Sequence, residues 1–72
     1  MAPDVSSKLQ QILQGKLKYT SANLGLNMLI SRLQRKVADD PGCMAACIKE
    51  IDDFAIKYPT VVSADFSKIA AL

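Results

Sequence analysis

At 72 residues, half of them hydrophobic and with a net charge of +2, the chain has room for one small domain with a modest core. It contains no histidine and no run near the roughly 18 consecutive apolar residues of a membrane-spanning helix. Ser-His or Cys-His chemistry within the chain and a transmembrane anchor are thereby excluded. Nine basic against seven acidic residues fall short of the clustered excess of a strong nucleic-acid binder.

The opening stretch, MAPDVSSKLQ, lacks the apolar core of a secretory signal, and two cysteines without one suit a reducing, cytoplasmic setting. Asp4 is placed to cap a first helix running from Val5 to Gln14. Val5, Leu9, Ile12 and Leu13 share one face of it, and Gln10, Gln11 and Gln14 the other. Gly15 follows where a left-handed terminating residue is wanted.

The connector KLKYTS alternates Leu17 and Tyr19 with lysines but has no obvious partner strand. Thr20 or Ser21 is expected to cap a second helix reaching Ala38, with Ala22, Leu26, Leu29, Ile30, Leu33 and Val37 as its buried stripe. Leu24 and Met28 point opposite that stripe, which makes LGLNMLI apolar nearly all round. Such a helix is either sandwiched or presents a patch to a partner. Arg32, Arg35 and Lys36 follow as a basic strip expected on the same outer side.

Asp39-Asp40-Pro41-Gly42 is the sharpest turn in the chain and implies an antiparallel hairpin of the second and third helices. Asp40 is the expected cap and Pro41 the first residue of a third helix reaching Tyr58. Met44, Cys47, Ile48, Ile51, Phe54, Ala55 and Tyr58 fall within an arc of roughly 120°, the width of a core-facing stripe. Ile56 points away from it, as a third apolar residue turned outward. Pro59 ends the helix. Thr60 or Ser63 then caps a short fourth helix packed through Val62, Phe66, Ile69 and Ala70.

Chemistry-bearing residues are few. Cys43 and Cys47, four apart, converge on one helical face and are the only metal or redox candidates. A closed zinc site wants four ligands, so two thiols without histidine read more simply as core residues. Glu50, Asp52 and Asp53 resemble a carboxylate cluster. Asp52 and Asp53 nevertheless diverge by about 100°, and Asp53 stands four residues from both Lys49 and Lys57, the spacing of surface ion pairs. Gly15, Gly25 and Gly42 are isolated and form no phosphate loop.

These observations predict an all-α protein, a small four-helix bundle with helices near 4–14, 21–38, 41–58 and 61–71 around a central antiparallel hairpin. Three helices with a loose C-terminal tail is the alternative. No catalytic constellation, metal or cofactor is expected. The expected role is a non-enzymatic protein-interaction module with Leu24, Met28 and Ile56 as its surface, the partner being a second copy of the chain or another protein. The alternative is a helix-turn-helix-like nucleic-acid binder using Arg32, Arg35 and Lys36.

Overall fold

Gly15 ends the first helix in the manner its position predicts. In the computed structural model, which describes residues 3–72 and the side chains of residues 5–72, α1 spans Pro3–Leu13. Gly15 adopts a positive φ of 77°, its N–H bonds the Ile12 carbonyl at 3.0 Å and the Lys16 N–H bonds the Gln11 carbonyl at 2.9 Å. That pair of bonds satisfies carbonyls which the helix itself leaves open. The helix starts two residues earlier than expected, and the proposed Asp4 side-chain cap lies outside the described residues.

The second helix, α2, spans Leu24–Asp39, three residues short of its expected start. Its cap is Asn23, whose side-chain oxygen accepts from the Leu26 N–H at 3.0 Å, and not Thr20 or Ser21. Ser21 instead accepts the Asn23 N–H at 3.1 Å, while its own N–H donates to Asn27 Oδ1 at 3.2 Å. A turn built by side chains thus replaces the first helical turn that the spacing suggested. Ala22 falls outside the helix and is exposed, whereas Leu26, Ile30, Leu33 and Val37 are buried as expected.

Asp40 then takes an extended conformation, and its carboxylate accepts from the Gly42 N–H at 3.0 Å. It caps a 3-10 turn, Pro41–Cys43, that leads into α3, Met44–Lys57. The turn brings α3 back alongside α2, with Lys36 near Glu50 and Gly25 facing Phe54. Pro59 both stops α3 and opens α4, Pro59–Ala70, since a helix's first residue has no N–H obligation. Neither Thr60 nor Ser63 caps α4, which begins before both.

Four helices pack on one another, and among the described residues no strand is present. The hairpin of α2 and α3 is flanked by α1, which touches α2, α3 and α4. The C-terminal helix is no loose tail. Lys8 of α1 donates to the Ala70 carbonyl at 2.7 Å, a cation on a helix C-terminus, and Gln34 of α2 donates to the Ile12 carbonyl at 3.0 Å. Leu9, Ile12, Leu13, Leu26, Leu33, Ile51 and Ile69 form the interior, each worth about 1.5–3 kcal/mol when fully buried. Besides Ala22, two expected stripe members miss it: Tyr58, which follows the last residue of α3, and Ala70, the last residue of α4, are exposed.

Candidate functional site on the outer face of the hairpin

The face of α2 turned from the core carries the apolar residues that stood out in the sequence. Leu24 is 72% exposed and Met28 63%. Beside them lies an open trough of about 610 Å³, bordered by Gly25, Met28, Leu29, Arg32 and Arg35 of α2, with the polar Asn27 and Ser31, and by Phe54 of α3. Gly25 has no side chain to fill this space, and a Cβ there would stand 3.8 Å from Phe54 Cζ. Phe54 also stacks against Tyr58 with ring centroids 4.9 Å apart. Met28, Leu29 and Phe54 form the apolar part of the trough, and Asn27, Ser31, Arg32 and Arg35 its polar part.

Ile56, 79% exposed, does not join this surface. Two residues beyond Phe54, it points about 200° away around the helix, so the three outward apolar residues make two separate surfaces.

The basic strip also divides. Arg32 and Lys36 turn toward α3, where Arg32 Nη2 lies 3.8 Å from Glu50 Oε1 and Lys36 Nζ lies 3.8 Å from Glu50 Oε2. Arg35, by contrast, pairs with no acid among the described residues. Glu50 Oε2 is shielded from solvent and has no hydrogen-bond partner, so its compensation is purely ionic. Asp53 forms no ion pair with Lys49 or Lys57 among the described residues. The spacing pointed to Asp53, but the contact across the hairpin selects Glu50.

Cys43 and Cys47 do meet, with their Sγ atoms 3.5 Å apart and both free. Cys47 is 1% exposed and Cys43 half-buried. Burial pushes the Cys47 thiol up from its ordinary value of 9.0, and the neighbouring Cys43 and Glu50 push it further. Among the described residues no three His, Cys, Asp or Glu side chains converge as a metal site.

One cluster escaped sequence reasoning. Asp65, 5% exposed, accepts hydrogen bonds at Oδ1 from the hydroxyls of Tyr19 and Ser21, the latter at 3.1 Å. Burial, then the Asp65 carboxylate, raises the Tyr19 phenol well above its ordinary 10.0. The available signal was the position of Asp65, three residues after Val62 and four before Ile69, on the apolar stripe of α4. A carboxylate there must find donors, and the connector supplies them.

Compared with protein-family models, curated proteins and solved structures, the chain matches none.

Proposed function

We propose that the chain is a non-enzymatic protein-interaction module that self-associates through the α2 side of this trough. The carrying observation is that exposed Met28, one helical turn from exposed Leu24, lines an open trough together with Leu29 and Phe54. Apolar surface of this kind gains free energy when covered, at roughly 25 cal/mol per Å². A second copy is a suitable occupant because a straight helix face can pair with itself about a two-fold axis. With that axis near Met28, the two Met28 side chains meet and each Leu24 covers the stem of the other copy's Arg32. A core this small also gains from association.

Molar mass by light scattering, in reductant and at low and high salt, tests the reading. A dimer at both salts supports it, because apolar contacts are insensitive to screening. A monomer at concentrations up to the millimolar range overturns self-association.

The nucleic-acid alternative has thinner support. Glu50 offsets Arg32 and Lys36, which leaves Arg35 as the uncompensated cation of the strip. Phosphate affinity comes from several such cations acting together.

A further inference from the structure

The thiol pair at the start of α3 is independent of the trough and supports a redox reaction. In a regular helix, residues four apart have Cα atoms about 6.2 Å apart, within the range that a disulfide spans. Cys43 is not in regular helix. It closes the 3-10 turn with φ −87° and ψ 6°, next to the bend at Asp40, so its backbone can shift without unwinding α3. The two sulfurs already stand 3.5 Å apart, and bonding requires about 2.05 Å.

The pair is also asymmetric in access. Cys43 reaches solvent and Cys47 does not. A reagent in solution therefore meets Cys43 first, whereas Cys47 needs only to reach its neighbour.

We propose that Cys43 and Cys47 form a reversible intrachain disulfide with a small disulfide oxidant, Cys43 being attacked first and Cys47 resolving the intermediate. The Cys43 thiol loses its proton to water, and its sulfur attacks one sulfur of the oxidant. The oxidant's S–S bond breaks, and one small thiolate leaves and takes up a proton. The Cys47 sulfur, likewise deprotonated, then attacks Cys43 Sγ and expels the second small thiol. The protein loses two hydrogens and the oxidant gains two. Burial raises the Cys47 thiol and so lowers the fraction present as thiolate for the second step.

The test treats the folded, reduced chain with oxidised glutathione and follows intact mass and free thiols without reductant. The expected product is a chain not cross-linked to another, lighter by two hydrogens, with no free thiol, and restored by dithiothreitol. Cys47→Ser should instead stop as a stable glutathione adduct at Cys43, while Cys43→Ser should stay unmodified under native conditions. Should Cys47→Ser fail to fold, Cys47→Ala serves the same purpose, and the wild-type product decides by itself. A wild-type chain that keeps glutathione on Cys43, links to a second chain, or does not react overturns the proposal.

Discussion

Tyr19 donates its hydroxyl hydrogen to the carboxylate of Asp65, joining the connector after α1 to the buried face of α4 across 46 residues of sequence. Ser21 donates to the same oxygen at 3.1 Å. Asp65 thus fixes the loop that also builds the cap of α2, because Ser21 in turn accepts the Asn23 N–H.

Removing the carboxylate should therefore cost more than a surface change. Asp65→Ala leaves two hydroxyls without their acceptor, and a lost charged hydrogen bond with orphaned donors costs about 2–3 kcal/mol. For a chain of this size that corresponds to a fall in Tm of about 10–20 °C. Tyr19→Phe removes one donor and should cost about 1 kcal/mol. Urea denaturation of the two single variants and the double variant checks both values. The double should cost clearly less than the sum, since both changes break one network.

Alkaline pH should destabilise the fold. Tyr19 is raised above 10.0 and Cys47 above 9.0 in the folded chain, so both keep protons that the unfolded chain releases. Unfolding then releases protons, and rising pH favours it. The stabilisation is complete below about pH 9 and declines above it, first through Cys47 and then, beyond pH 10, through Tyr19. Chemical denaturation from pH 7 to 11 should show the decline. Tyr19→Phe should flatten its upper part and Cys47→Ala its beginning. An unchanged slope in both variants would contradict this assignment.

The ion pairs around Glu50 should contribute little to stability. Arg32 and Lys36 are more than half exposed, with side-chain accessibilities of 59% and 52%, and neither comes within hydrogen-bond distance of Glu50. Alanine at either position should change stability by under about 0.5 kcal/mol in urea titrations. A change at their common partner tests the nucleic-acid alternative. Glu50→Gln leaves Arg32 and Lys36 uncompensated and should strengthen any binding of a DNA or RNA duplex. The salt slope should steepen accordingly. No binding by either wild type or Glu50→Gln removes that alternative.

Much of the architecture was legible because apolar spacing is a direct consequence of burial. Val5, Leu9, Ile12 and Leu13, and likewise Leu26, Ile30, Leu33 and Val37, occupy the core positions that their periods indicate. Gly15 and Pro59 were legible because their backbone restrictions act locally. The start of α2 was not, since Ser21 is drawn to Asp65, 44 residues away, leaving the cap to Asn23. Local spacing contains no trace of such a partner. The basic strip failed similarly: three cations close in sequence are divided by Glu50, which the hairpin brings up from α3. The spacing turned Leu24 and Met28 away from the stripe without deciding whether other helices cover them, and both are exposed; that Ile56 lies apart from them is a neighbour relation that only the packing of two helices determines.

That separation yields a discriminating experiment for the proposed interface. Met28→Glu places a charge in the trough beside Phe54, whereas Ile56→Glu places one on the opposite side of α3. Both residues are mostly exposed, so neither change should cost the fold more than about 0.5 kcal/mol. Their effects on association should nevertheless differ. With the two-fold axis near Met28, the two introduced carboxylates face each other across the seam, and such a like-charge contact costs several kcal/mol, enough to weaken the dimer at least a hundredfold. Met28→Glu should thus sediment as monomer where wild type is dimeric, and Ile56→Glu should match wild type. If Ile56→Glu dissociates the dimer and Met28→Glu does not, the interface lies on the far side of α3 and the trough is not its seat. Circular dichroism on both variants separates dissociation from unfolding. Leu33→Ala, fully buried, provides the contrast, since losing its side chain should cost about 2–5 kcal/mol and melt the helices themselves.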